Sequence, residues 1–302
     1  MANSPHPQAQ AQPLGYAELL DLIGHREGIH NVACPLCGPY RRAAVNRRRQ
    51  VLRVWYAAGF ATYACARCGE HGYARGDVRK VDRGALAKAR AAANERAAVT
   101  DRDKRRRAQW FWDRRLPIGG TPAERYLRVA RAYSGPLPPT IGFLPGRGDH
   151  SAALISAFGM PDEVEPGVMS ITTAAVRGVH LTKLAPDGSA KAGTDTDKIM
   201  LGCARGAPIA LAAIGDSLGL AVTEGIEDAL SVHEATGLGS WAAGAASLMP
   251  ALAPVIPDWV EIVTILVDDD LAGRRNAEDL AQRLAQRDIA VRFVVPALAG
   301  VA

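Results

Sequence analysis

The chain has 302 residues, 48% hydrophobic and 22% charged, with a formal net charge of +5. That is enough chain to bury a sizeable core, in about two domains. No apolar run approaches the roughly 20 residues that cross a bilayer, and the polar start MANSPHPQAQAQPLG lacks the basic-then-apolar order of a secretory signal. No membrane partner is therefore expected, and the cytoplasm is the expected compartment.

The small net charge hides an asymmetry. Residues 38–131 hold 24 Lys and Arg against 8 Asp and Glu, a net of +16, whereas the remainder holds 12 against 23, a net of −11. A basic front half points to nucleic acid there, in preference to a merely solvated basic helix.

Residues 1–30 read as a flexible arm and a short helix, because 15–29 (GYAELLDLIGHREGI) carries Leu19, Leu20, Leu22 and Ile23 at helical spacing. Residues 31–76 form a cysteine module. Two pairs, Cys34-Pro-Leu-Cys37 and Cys65-Ala-Arg-Cys68, flank 27 residues. Within that interval RQVLRVWYAAGFATYAC is β-branched and aromatic around a glycine turn, the pattern of two antiparallel strands. In a reducing compartment such pairs are metal ligands rather than disulfides. Four thiolates close a tetrahedral structural zinc site. His30 and His71 are expected to be bystanders, and Cys203 a lone neutral thiol.

Residues 77–131 read as a basic helical linker, rich in Ala, Arg and Lys. Its KRRR run at 104–107 leads into Trp110, Phe111 and Trp112, which are expected to pack against the next domain. Thr121, Pro122 and Glu124 then spell a capped helix start. Residues 132–215 read as short strands, among them a hairpin in VRGVHLTKLAPDGSAKA turning at Pro186-Asp187-Gly188. From 216 to 302 strands and helices alternate: strands at 218–223, 238–244, 261–267 and 290–295, with helices between. This predicts a mostly parallel sheet flanked by helices.

Two of these strands run into acid, one at Glu224-Gly225 and one at Asp268-Asp269-Asp270. Ligands of open α/β sheets bind beyond the carboxyl ends of strands. Residues two apart at an extended strand end share a face, which predicts Asp268 and Asp270 toward Glu224 and Asp269 elsewhere. Carboxylates gathered at about 4 Å repel unless a divalent cation joins them. All-oxygen ligands favour Mg²⁺ or Mn²⁺. Gly225 and Gly273 would keep backbone close to that site.

VTEGIEDALS followed by VDDDLAGRRNA resembles the Toprim domain, with Glu224-Gly225, Asp228 and Asp268-x-Asp270-x-Ala272-Gly273 in the positions of its motifs. The cysteine module resembles the zinc ribbon of DnaG-type and phage or plasmid primases. TPAERYLRVARAY and GVHLTKLAPDGSAKAGTDTDKIMLG resemble the lead-in to their catalytic core. The resemblance implies an α/β Toprim domain behind an α+β primase-like lead-in and a small N-terminal zinc ribbon.

It also implies an activity: template-directed synthesis of short RNA primers on single-stranded DNA from nucleoside triphosphates. Glu224, Asp228, Asp268 and Asp270 would be catalytic. Glu224, Asp268 and Asp270 would hold Mg²⁺ or Mn²⁺. Arg177, Lys183 and Lys198 would hold nucleotide and template. The ribbon would contact single-stranded DNA through Arg47, Arg48, Arg49 and Trp55, with Tyr40, Tyr56 and Tyr63 as further stacking candidates. A replicative helicase would act in trans. A Toprim metal-dependent nuclease and a non-catalytic DNA-binding module of a mobile element are the alternatives.

Overall fold

The structure, a computed structural model, describes residues 14–40, 44–76, 83–165 and 167–295. The expected arm over 1–13 and the start of the linker, 77–82, lie outside the described residues. The chain divides into two compact units, Met1–Val99 and Thr100–Ala302.

The first unit holds α1 (Tyr16–Ile23), β1 (Gly28–Ala33), α2 (Ala44–Arg47), β2 (Gln50–Ala57), β3 (Phe60–Cys65) and β4 (His71–Arg75). The strands form an antiparallel sheet in the order β1-β2-β3-β4. The expected hairpin is its centre. The inward residues Leu52, Val54, Ala61 and Tyr63 meet Leu19, Leu20 and Ile23 of α1 in one buried cluster. Alternation leaves the other face of the sheet outward, as a period-2 strand with one buried face must. α3 (Arg83–Asp113) carries the chain into the second unit.

The second unit begins with the end of α3. Ala108 and Trp112, one turn apart, are fully buried against Ile155, Ala157, Val179 and Leu181. Phe111 is partly buried there. Trp110 departs from the expectation. It stays 46% exposed, with the Arg114 guanidinium 3.7 Å from its ring centre. Next come α4 (Pro122–Arg125), β5 (Ile141–Leu144), β6 (Ala153–Phe158), β7 (Asp162–Glu165), β8 (Val168–Ser170), β9 (Gly178–Lys183) and β10 (Lys198–Gly202). The Thr121 hydroxyl caps α4 by accepting from the Glu124 N–H, and the Gly120 N–H donates to the Glu124 carboxylate at 2.7 Å. The helix then widens into a π-helical turn, Tyr126–Ala130.

β10-β9-β6-β5 form an antiparallel sheet. The expected hairpin needs correction here. Its turn exists, closed by the Gly188 N–H to the Ala185 carbonyl at 2.9 Å, but beyond it only a bridge from Leu184 to Lys191 forms. The true partner of β9 is β10, further along the chain.

The last sheet contains β11 (Ile209–Ala212), β12 (Gly219–Thr223), β13 (Gly239–Ala242), β14 (Ile262–Leu266) and β15 (Ala290–Val294), in the order β11-β13-β12-β14-β15. All neighbours are parallel except β11 with β13. α5 (Ile226–Thr236) and α6 (Leu271–Ala285) are the crossovers. α6 buries Ala277, Leu280 and Leu284 against Val263, Ile265 and Leu252, while Ile226, Ala229 and Leu230 of α5 pack with Tyr126, Leu127 and Phe158. The two helices belong to separate clusters on either side of the sheet, as parallel sheets require. Among the described residues no helix is long and apolar enough to cross a membrane.

Candidate active site and metal centre

β12 and β14 are direct parallel neighbours, with Val222 opposite Ile265. Their carboxyl ends therefore open side by side, and Glu224 follows one as Asp268 follows the other. Burial, reinforced by the charges of Asp268 and Asp270, holds the Glu224 carboxyl above the usual glutamate range. Burial with Asp268 and Glu227 does the same to Asp228. The charge of Asp268 thus acts on both Glu224 and Asp228, and that of Asp270 on Glu224.

Two glycines make this approach possible. A side-chain carbon at Gly225 would collide with the Asp228 carboxylate, and one at Gly273 would lie 2.5 Å from the Asp268 carbonyl.

The aspartate triplet is divided by loop geometry rather than by strand alternation. β14 stops at Leu266. Asp270 is the N-cap of α6 and accepts from the Gly273 N–H at 2.6 Å. Asp269 turns to the surface and pairs with Arg274, whose Nε lies 3.1 Å from it. Asp268 is left near enough for its charge to act on Glu224 and Asp228.

A cationic and aromatic group borders the acids. Lys191 Nζ lies 3.3 Å from Glu227 Oε1, and the Tyr126 hydroxyl donates to the same oxygen at 2.8 Å. Arg131 Nε donates to the Tyr126 oxygen at 2.8 Å. Lys198 is close enough that its charge opposes the upward shifts of Glu224 and Asp228. Burial works to raise Glu227, but its own backbone N–H, Lys198, the Tyr126 hydroxyl and Lys191 outweigh it and bring the carboxyl to about 2. Burial and then Lys198 hold His180 neutral, at about 4.

In the first unit the four cysteine sulfurs all lie within 4.8 Å of one another. The Cys34–Cys68 and Cys37–Cys65 separations are both 3.9 Å. A tetrahedron with Zn–S bonds of about 2.3 Å has edges of about 3.8 Å. Donor type and spacing therefore fit zinc. Each knuckle folds back through a glycine amide, Gly38 to the Cys34 carbonyl at 2.8 Å and Gly69 to the Cys65 carbonyl at 3.0 Å. His30 and His71 stand outside the cage, bonded to the carbonyls of Arg26 and Gly69.

Compared with known families, residues 102–211 match a domain of unknown function (DUF7146), and residues 219–300 match the Toprim domain. The chain thus combines a four-cysteine ribbon with Toprim, the two parts that its motifs suggest. It is similar to the primase fragment of the bacteriophage T7 primase-helicase protein at 13% identity, over 89% of this chain and 90% of that one, with a TM-score of 0.38. It is similar to the zinc-binding and RNA polymerase domains of the Aquifex aeolicus primase at 13% identity, over 92% and 76%, with a TM-score of 0.40. No curated protein matches the chain.

Of the basic residues expected to serve the Toprim acids, Lys198 stands beside them. Arg177 instead donates to the Gly206 carbonyl at 3.0 Å, and Lys183 reaches the Thr194 hydroxyl at 3.5 Å. Arg47 ends α2, and exposed Arg48 and Arg49 lead into β2. Trp55 lies on the outward face of the ribbon sheet, but Tyr63 is buried, where its oxygen accepts from the Leu14 N–H. Tyr56 points inward to the Tyr16 hydroxyl at 3.1 Å, and Tyr40 is exposed.

Beside Trp55, which was expected there, the outward face contains residues the sequence reading missed. Ile29, Trp55, Thr62 and Tyr73 stand directly opposite one another across the four strands. Phe60 stacks on Tyr73 at 5.8 Å, and Arg75 lies over both rings. Period-2 exposure on β4 was the available signal. Near the Toprim acids, Glu227, Lys191, Tyr126 and Arg131 were likewise missed.

The metal expected of Toprim can be tested against the donor set. Carboxylates gathered at a strand edge, with glycine backbone packed close, suit a hard divalent cation. Among the described residues no three of these carboxylates come mutually within 4.8 Å, unlike the cysteines. A cation here would therefore bring the side chains inward or use water as part of its shell, as Mg²⁺ commonly does.

Proposed function

We propose that this protein is a DNA primase-like enzyme that joins ribonucleoside triphosphates into short primers on single-stranded DNA. The observation that carries the reading is the clustering of Glu224, Asp228, Asp268 and Asp270 at one Toprim edge with Lys198 beside them. The same chain carries a four-thiolate zinc centre under an outward aromatic sheet face.

In this reading Glu224, Asp268 and Asp270 hold Mg²⁺ or Mn²⁺. Such a cation, when bound, stabilises negative charge on the reacting phosphoryl oxygens. Asp228 orients the cluster from the first turn of α5. In an alternative role, Glu224 takes the proton from the attacking 3′-hydroxyl instead of holding the cation. Lys198 offsets the charge on the departing pyrophosphate. The ribbon presents template: Trp55, Phe60 and Tyr73 offer stacking surfaces, while Arg75 and the Arg47–Arg49 run meet phosphates.

The test is to incubate the protein with single-stranded DNA, four labelled ribonucleoside triphosphates and Mg²⁺ or Mn²⁺. Short labelled RNA complementary to the template is the expected product. Cleaved template without RNA would replace this reading with the nuclease. Template binding without either product would replace it with the non-catalytic module.

A further inference from the structure

Glu227 is an anomaly among the acids. It sits 16% exposed with a committed set of partners. One oxygen takes both the Tyr126 hydroxyl at 2.8 Å and the Lys191 ammonium at 3.3 Å. Both contacts use Oε1, so that oxygen cannot turn to a metal without breaking them. It also lies in the first turn of α5, where the helix dipole favours an anion.

The partners come from separate parts of the second unit. Tyr126 opens the π-helical turn, a distortion of the kind that frequently marks functional positions. Arg131, at the end of that turn, donates to Tyr126. Lys191 follows the Ala185–Ala190 turn, which is itself seated on the lead-in: a side chain at Gly188 would strike Pro122, and Asp187 faces Arg125 at 4.0 Å. Glu227 therefore fixes a lysine that would otherwise ride on an exposed turn. It does so beside Lys198 and next to the cation-binding acids.

We infer that Glu227 is a positioning residue. It holds Lys191 at the rim of the acid cluster, where Lys191 and Lys198 together receive the phosphate chain of a nucleoside triphosphate. The inference rests on the primase reading only for the identity of the ligand. Lys191 is only 28% exposed, so its ammonium is presented from a fixed place rather than from a flexible stem.

The experiment measures ATP affinity by calorimetry and Mn²⁺ affinity by electron paramagnetic resonance on the full chain. Glu227→Gln keeps an oxygen for Tyr126 but removes the charge that holds Lys191. It should weaken ATP roughly tenfold, the size of one charge-assisted contact, and leave Mn²⁺ affinity within about twofold. Lys191→Met should weaken ATP equally, and the double variant no more than either single change, because both remove one coupled interaction.

ATP affinity unchanged in Glu227→Gln, additive losses in the double variant, or loss of Mn²⁺ affinity in Glu227→Gln would each overturn the inference. So would failure of the wild type to bind ATP. If Glu227→Gln fails to fold, normal ATP affinity in Lys191→Met overturns it. A wild type that binds ATP through this pair but makes no RNA would refute the primase reading alone. A wild type that makes RNA while Glu227→Gln binds ATP normally would refute this inference alone.

Discussion

At the scale of residues, the acid cluster sets a conflict between fold and site. Glu224 and Asp228 are both raised above the ordinary carboxylate range, by burial first and by Asp268 next. The folded chain without metal therefore holds protons that the unfolded chain releases. By linkage, its stability falls as pH rises through the interval between the ordinary carboxylate values and the raised ones, and stays reduced above it. Relief of the repulsion should reverse this. At pH 7 and without metal, Asp268→Asn should raise the melting temperature by roughly 2–4 °C, the shift that about 1 kcal/mol produces in a domain of this size. Saturating Mn²⁺ should stabilise the wild type and not the variant. Calorimetric melts with and without Mn²⁺ check both, and a lower melting temperature for the metal-free variant would contradict them. Glu224, Asp268 and Asp270 were legible because they end apolar strands and are followed by a glycine and a helix, and Asp228 because it fits the motif that begins at Glu224. Glu227 was not, because the Tyr126 that defines its role lies 101 residues away.

At the scale of elements, β12 to β15 and α5 were readable to within about two residues, whereas α6 starts three residues before its expected start and β11, the antiparallel edge of the same sheet, was not expected. Each strand is an apolar run and each helix carries an apolar stripe, so local pattern and tertiary burial agree. The β9 hairpin was misread because Pro186-Asp187-Gly188 is a true turn signal attached to a strand that pairs elsewhere. β10 alternates only weakly and is partly exposed, so it offered little pattern. The ribbon sheet shows the reverse. Its central hairpin was legible, but β4 was not, and with it went Tyr73 and Arg75. If the outward face binds single-stranded DNA, Trp55→Ala and Tyr73→Ala should each cost roughly 1–3 kcal/mol of binding, about 5- to 150-fold. Fluorescence anisotropy with a labelled oligonucleotide measures this. Tyr56→Phe, on the opposite face, should leave binding within about twofold. Equal losses for inward and outward residues would mean that the ribbon was destabilised rather than its face altered.

At the scale of the whole molecule, charge and chemistry divide in the same sense. The +16 stretch over 38–131 holds most of the aromatic sheet face and two of the four clustered cysteines. The acidic remainder carries the Toprim edge. Composition revealed this division, since charge counts need no contacts. It did not reveal which charges are spent on structure: Arg177 serves the Gly206 carbonyl, and Asp269 is neutralised by Arg274. The central claim is that chemistry occurs at Asp268 and not merely in an acidic loop. RNA primer synthesis on single-stranded DNA, compared between Asp268→Ala and Asp269→Ala, tests it most directly. The account predicts a loss of at least about 100-fold for Asp268→Ala, the scale of removing a group that stabilises transition-state charge, and less than about threefold for Asp269→Ala. Comparable losses at both positions, or synthesis that survives Asp268→Ala, would contradict it.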